Sequence, residues 1–367
     1  MRFKHILSFF LIVVLLFAAD DADAQRRRRN KYKRRKVRNK SISKYRGGSV
    51  GGKFRPYTFI SYNVNALNYY GDLAPVNQAA STDVSWTRPG AGVNIGYKFN
   101  PYLTFRAGLN YGRITGDDNK TKAEGYDNAP RYYRNLSFRN DIKEFQVGFE
   151  LSLIPNYGGP NVRKPFNAYL FAGAAIFHHE PKGLVPDFDY VTGGANSTVK
   201  APSAGKWVRL RPLGTEGQYI DGVGVKKPYL PFSYAIPLGV GVRMRLSGPF
   251  DLGFETTYRF LFTDYIDDVS NNYVSFDNFD DPLAKIMSDR SAEPVGILTG
   301  DVRGLPVSSQ TLADGQTYYT VSGEYAPGGG LANGAKRGNP KDGDTYFMTT
   351  VRLIWILGKT KKTAKFR

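Results

Sequence analysis

The 367-residue chain carries 51 Lys and Arg against 32 Asp and Glu, a formal net charge of +19, with 14% aromatic residues, 40 Gly and no Cys. The lack of Cys excludes a disulfide framework, thiolate metal sites, Cys nucleophiles and Cys-linked lipid anchors. Aromatic and Gly richness suits short strands, where a helical protein would draw on Ala, Leu and Glu.

At the start of the chain, Arg2 and Lys4 precede an apolar run from Ile6 to Ala19 that closes on Ala22-Asp23-Ala24. This is the form of a secretory signal peptide cut before Gln25, so residues 1–24 are expected to be removed. The run is shorter than the roughly 20 residues a spanning helix needs. A basic arm without regular structure is expected over residues 25–55. Residues 26–46 hold 13 Lys or Arg and no acid, with Arg26, Arg27, Arg28, Arg29, Lys31, Lys33, Arg34, Arg35, Lys36, Arg38 and Lys40 the densest part. A short basic tail, 359–367, holds five more. Without leader, arm and tail the chain has 31 basic and 29 acidic residues, so the body is nearly neutral. In a cytosolic protein such an arm would read as a nucleic-acid contact. After export no nucleic acid is expected, and the arm predicts an anionic periplasmic partner: a protein, the cell wall or inner-leaflet headgroups. A solvated tail without a partner is the alternative.

Beyond the leader no stretch approaches 18 consecutive apolar residues, so insertion into a membrane requires a closed barrel. Eight segments have the period-two alternation of a barrel wall, with lipid as the partner of the apolar phase. The first, near Tyr57–Tyr70, is weakly patterned. The second sets Pro89, Ala91, Val93, Ile95, Tyr97 and Phe99 against Gly92, Asn94, Gly96 and Lys98. The third sets Leu103, Phe105, Ala107, Leu109 and Tyr111 against Thr104, Arg106, Gly108 and Asn110, and the fourth Phe145, Val147, Phe149, Leu151 and Leu153 against Glu144, Gln146, Gly148, Glu150 and Ser152. The fifth, near Phe166–Phe177, is again weak. The sixth alternates from Ile236 to Leu246 against Arg243 and Arg245, the seventh from Leu252 to Phe260 against Glu255 and Arg259, and the eighth from Phe347 to Trp355 against Arg352.

Connection lengths test this parsing independently, because bacterial barrels alternate short periplasmic turns with long extracellular loops. Asn100-Pro101, the segment near Pro155–Pro165 and Ser247-Gly248-Pro249 are short; the links after the first, third, fifth and seventh segments are long. The expected fold is therefore all-β: a single transmembrane antiparallel up-and-down β-barrel of eight strands over 56–358. Its long loops lie near 179–229 and 264–344, and both termini are periplasmic in the outer membrane of a Gram-negative bacterium. Within the last loop, Val307–Leu312 and Thr317–Ser322 flank Asp314-Gly315, a dipeptide suited to a type I′ hairpin. Entry of that hairpin, or of one near Lys206–Leu210, into the wall would make ten strands.

The inward phase assigns Lys98, Arg106, Glu144, Glu150, Arg243, Glu255, Arg259 and Arg352 to the lumen. Eight strands leave room only for side chains, so these are expected to pair and fill the interior, with a narrow ion path as the alternative. Asp264, Asp267 and Asp268 offer hard oxygen ligands but lack the spacing of an EF-hand loop, so no metal is assigned. His178-His179 is expected to be an interfacial pair. No G-x-S-x-G elbow, H-E-x-x-H or P-loop occurs, and neither catalysis nor a cofactor is expected.

Five stretches carry a family resemblance. They are 68–73 (Asn68-Tyr69-Tyr70-Gly71-Asp72-Leu73), 99–108 (Phe99 to Gly108), Gly116-Asp117-Asp118, 212–218 (Pro212 to Gln218) and 262–270 (Phe262 to Ser270). Together they resemble a family of outer-membrane barrels otherwise of unknown function, which includes the PorG-type component of the type IX secretion and gliding machinery. The resemblance spans about Tyr57 to Leu357 and implies an outer-membrane component that contacts a periplasmic ring complex. The expectation is a non-enzymatic structural or docking component with a basic periplasmic arm. A narrow channel and a surface-binding protein acting through the loops are the alternatives.

Overall fold

In the computed structural model, described residues run from 54 to 357 except 75–86, 122–128, 161, 188–202, 223–226, 314, 316, 323–335 and 342. The leader, the arm up to Lys53 and the C-terminal tail lie outside them. Twelve strands follow in order. These are β1 (Tyr57–Tyr70), β2 (Arg88–Lys98), β3 (Leu103–Asp117), β4 (Ser137–Ser152), β5 (Phe166–His178), β6 (Lys182–Leu184), β7 (Trp207–Arg209), β8 (Phe232–Arg245), β9 (Phe250–Leu261), β10 (Val307–Thr311), β11 (Thr317–Val321) and β12 (Thr345–Leu357). Two short helices stand in the loops, α1 (Ala129–Arg134) and α2 (Pro282–Ser288), the latter capped by the Asp281 carboxylate accepting from Leu283 N. Among the described residues no helix is long and apolar enough to cross a membrane, which says nothing of strands.

Eight strands pair antiparallel in the order β3-β2-β1-β12-β9-β8-β5-β4, and β3 pairs with β4 to close the ring. Closure leaves no open edge, so every wall strand has a partner on both sides. The ladder thins at one place. Ala172↔Leu238 and Ala175↔Ala235 frame a gap opposite Pro237, which has no N–H to donate. The two hairpins weighed as extra wall strands do not enter it. β6–β7 touches β4 only at Arg139↔Lys182, and β10–β11 forms its own sheet. The latter hairpin also departs from its expected turn. Thr311 pairs with Thr317, leaving five residues between the strands rather than the two of a type I′ turn. Gly315 there has φ +79°, and Asp314 lies outside the described residues.

Burial follows the alternation. Along β2, Val93, Ile95 and Tyr97 are exposed while Asn94, Gly96 and Lys98 are buried. The wall thus presents its apolar phase outward, as a membrane barrel does. Toward the loops the phases exchange chemistry. On β4, Phe138 and Ile142 point inward while Arg139, Asp141 and Lys143 point outward. Above that boundary the barrel has the polarity of an ordinary water-soluble sheet.

This exchange divides the lumen into layers. Tyr57, Phe59, Ile354 and Ile356 form an apolar floor at the end with the short turns. Gly96 faces the Phe59 ring so closely that any Cβ there would collide with it. Polar and charged side chains fill the middle. Leu67, Tyr69, Ile114, Phe138, Ile142 and Tyr346 belong to an apolar upper core, which Ile266 and Val269 of the β9–β12 loop complete from above.

Candidate functional site

The middle layer brings together seven of the eight charges assigned to the lumen. Glu150 accepts from Arg106 (2.9 Å), Arg352 (2.9 Å) and Arg243 (3.1 Å). Glu255 takes two bonds from Arg106, both 2.8 Å, and one from the Tyr169 hydroxyl at 2.9 Å. Arg352 also reaches Tyr169. Glu144 accepts from Arg259 at 2.8 and 3.0 Å and from the Tyr346 hydroxyl at 2.8 Å. All seven are buried. Two parallel N–H···O bonds per carboxylate are the strong geometry for such pairs.

Lys98 stands apart. It is buried, and its ammonium donates to Ser152 Oγ at 2.8 Å instead of to a carboxylate. Register puts Lys98, Thr104 and Glu150 in one row, yet the Glu150 oxygens are already taken by three guanidiniums. The rest of the cross-section is held by amides. Asn110 donates to Glu144 (3.0 Å), Asn94 to Ser61 (3.3 Å) and Thr350 to Asn65 (3.0 Å). A cavity at the turn end, lined by Tyr57, Lys98, Arg163 and Asp251, offers about 20 Å³, room for about one water.

Of the structure at the opposite end, only the hairpin of β10 and β11 was legible in the sequence. The described residues of 262–344, with those of the β7–β8 loop and the β3–β4 link, form an ordered cap bonded mainly through arginines. Arg337 donates to Glu216 (2.9 Å), the Asp268 carbonyl (2.7 Å) and the Ser288 carbonyl (3.1 Å). Arg303 reaches the carbonyls of Ser291, Glu293, Tyr132 and Tyr133, and Arg134 pairs with Asp118 at 2.6 and 2.8 Å. Arginine suits this work because one planar group satisfies several loop carbonyls that no ladder covers.

The three acids Asp264, Asp267 and Asp268 diverge. Asp268 turns to Thr215 (2.5 Å) and Tyr229 (2.6 Å), Asp264 to Ser270 (2.6 Å), and Asp267 to Tyr69. Among the described residues no group of three potential ligands is placed to hold a metal. Asp268 adopts φ +70°, a strained conformation for a residue with a Cβ, held by its buried partners.

Asp267 and Asp344 meet at one phenol. The Tyr69 hydroxyl lies 2.6 Å from Asp267 Oδ2 and 2.8 Å from Asp344 Oδ1. A hydroxyl has one proton, so both contacts are hydrogen bonds only when one carboxyl supplies a second. Gly71 faces this point, where any Cβ would overlap both the phenol and Asp344. Burial raises both carboxyls well above the ordinary range, with added repulsion from Asp72 at Asp267 and from Asp267 at Asp344. Burial also pushes Asp264 to about 7, and Asp268 to about 6 despite the opposing Arg337. Desolvation takes His179 the other way, to about 4, where its ring stacks on Tyr229 at 5.8 Å. His178 instead meets Phe232 edge-on at 5.1 Å on the outer wall.

These features define an eight-stranded antiparallel barrel of the outer-membrane type with an ion-paired lumen and an ordered cap. Residues 58–202 match the model of a family described as a domain of unknown function (DUF6089). No curated protein matches the chain. Solved structures similar to it include Ail, the attachment invasion locus protein of Yersinia pestis, in complex with the heparin analogue sucrose octasulfate. That likeness has 7% identity and a TM-score of 0.31, over 83% of this chain and 99% of Ail. Neisserial surface protein A has 7% identity and a TM-score of 0.32, over 81% and 96%. A major outer membrane protein of Thermus thermophilus has 10% identity and a TM-score of 0.32, over 82% and 99%. At such scores these likenesses carry nothing about role, and the fold rests on the closed ladder itself.

Proposed function

We propose that this protein is a non-enzymatic outer-membrane anchor. Its barrel holds a basic arm, residues 26–46, in the periplasm as a docking element for an anionic component of a type IX secretion-like assembly. The observation that carries this reading is the filled lumen. Three carboxylates, four guanidiniums and a row of amides occupy the space a channel would need, so the barrel's work lies at its two ends. Phe54, the first described residue, packs on the apolar floor of Tyr57, Phe59, Ile354 and Ile356. The test is a crosslinking probe in the arm of the full chain in cells, alongside deletion of 26–46. The expected result is a discrete periplasmic partner lost on deletion, with secretion impaired. Unchanged secretion and no partner from a folded barrel would defeat the proposal.

The ordered cap favours a second reading, binding at the cell surface through the loops. Shortening 298–335 in an otherwise intact chain would abolish surface binding under this reading and leave it untouched under the first.

A further inference from the structure

One sector of the barrel's outer wall changes chemistry abruptly. Strand register arranges outward side chains in rows, and Val93, Leu109, Phe145 and Ile176 form an apolar row across β2, β3, β4 and β5. One step toward the loops the row is Tyr111, Lys143 and His178; the next sets Arg113 opposite Asp141. Above these, Arg139 pairs with Lys182, which pairs with Arg209. Five cations therefore stack directly above the apolar band on β3, β4 and the β6–β7 hairpin. Among the described residues two acids pair with them, Asp141 bound to Arg113 at 2.6 Å and Glu180 bound to Arg209 at 3.2 Å, leaving a surplus of three positive charges. Among the described residues the other side of the barrel has no counterpart. Outward positions near the loop end are Ala66, Asn68 and Tyr70 on β1, Phe347 and Thr349 on β12, and Tyr258 and Phe260 on β9.

Beneath the cations an apolar groove of about 880 Å³ runs around the wall from Tyr62 on β1 over Val93, Leu109, Phe145 and Ile176 to Phe232 on β8, with Lys143 and His178 also lining it. The guanidinium of Arg139 lies 4.2 Å from the Trp207 ring centre, and below them Tyr111, in the Lys143 row, is an aromatic at the height where apolar wall gives way to charge. Interfacial Trp and Tyr mark that level in membrane barrels. A lipid matches this combination: an acyl chain fills a groove that water would leave unsatisfied, and a phosphate supplies the negative charge that the surplus cations lack.

We propose that the β3–β4–β5 sector is a binding site for a phosphate-bearing lipid of the leaflet at the loop end. The acyl chain lies in the groove and the phosphate on Lys143, Arg139 and Arg113. This rests on the reading that the barrel spans a membrane. Lys143 sits nearest the groove and sets the depth of the phosphate. Arg139, steadied on Trp207, and Arg113, already shared with Asp141, close around it from above.

The test uses the full chain in nanodiscs of phosphatidylcholine doped with diphosphorylated lipid A, with bound lipid counted by native mass spectrometry. The wild type is expected to retain lipid A about tenfold in preference to phosphatidylcholine, and Lys143→Gln with Arg139→Gln to lose most of that preference. Lys164→Gln, an exposed cation at the turn end, is the control and is expected to change nothing. Should the double variant fail to insert, Lys143→Gln alone is expected to lower the preference several-fold. Equal retention of both lipids by the wild type, or an unaltered preference in the Lys143 variant, overturns the site while leaving the barrel reading intact. Failure of the wild type to insert overturns both.

Discussion

In the lumen every buried carboxylate meets a guanidinium: Glu150 accepts from three arginines, Glu255 from Arg106 and Glu144 from Arg259. In the cap, Asp267 and Asp344 meet each other across the Tyr69 hydroxyl, with Asp72 and Asp264 nearby and burial raising all four. The first arrangement keeps its charges by matching them; the second reduces them by holding protons. The matched glutamates and arginines of the lumen should therefore respond to loss of a partner far more than to pH. The cap should be sensitive to both.

The largest expected effect comes from Glu150→Ala, which leaves Arg106, Arg243 and Arg352 facing one another around an empty position. Removing one partner of a buried ion pair costs about 3–5 kcal/mol, and here three cations share the loss. Heat-modifiable migration in detergent gels should show the barrel opening at a markedly lower temperature. An unchanged transition would mean that the network is not what holds the middle layer.

Arg337→Ala comes next, since it strands buried Glu216 and the carbonyls of Asp268 and Ser288, and its effect should stay local to the cap. A cost of about 3–5 kcal/mol is enough to expose residues 262–344 to protease while the barrel still resists heat. Simultaneous loss of barrel heat resistance would erase the distinction between the two regions.

A smaller effect is expected on changing pH. Asp264 at about 7 and Asp268 at about 6 bind protons in the folded cap that an unfolded chain, with Asp near 3.8, would already have released. Stability from these groups is thus complete below pH about 4 and is lost as pH rises through about 6–7. Hydrogen exchange in the cap should accelerate between pH 5 and 8, after correction for the intrinsic rate, while exchange in β9 and β12 stays constant. Tyr69→Phe removes the shared hydroxyl at about 1–3 kcal/mol and should steepen that dependence. The smallest effect belongs to Glu180→Gln. Its partner Arg209 is largely exposed, and such surface pairs are worth about 0–1 kcal/mol, so no shift in either region is expected.

The two regions also differ in how much of them is legible in the sequence. A barrel wall is written in period two, so the outward phase of β2, β3 and β4 could be read directly, and with it the burial of Arg106, Glu144 and Glu150. The same rule, extended three steps up β12 from Arg352, would have found Tyr346, whose hydroxyl serves Glu144. The inward Phe138 and Ile142 were hidden because the phases exchange chemistry above the membrane, where a search for apolar-out alternation fails. In the cap nothing is periodic. Tyr69 and Asp344 are 275 residues apart, Arg337 and Glu216 121, and their meeting follows from closure of the barrel rather than from any local pattern. The Asp264–Asp268 acids looked like one cluster because they are adjacent in sequence, but the turn at Asp268, with φ +70°, sends them to different partners.

The central claim is that the barrel is a sealed anchor whose activity lies at its ends. Single-channel recording of the full chain in a planar bilayer tests it most directly. The ion-paired lumen predicts no conductance steps at any holding potential at which the barrel remains inserted, and the same silence after Arg337→Ala loosens the cap. Steady, reproducible openings from the wild-type chain would contradict it.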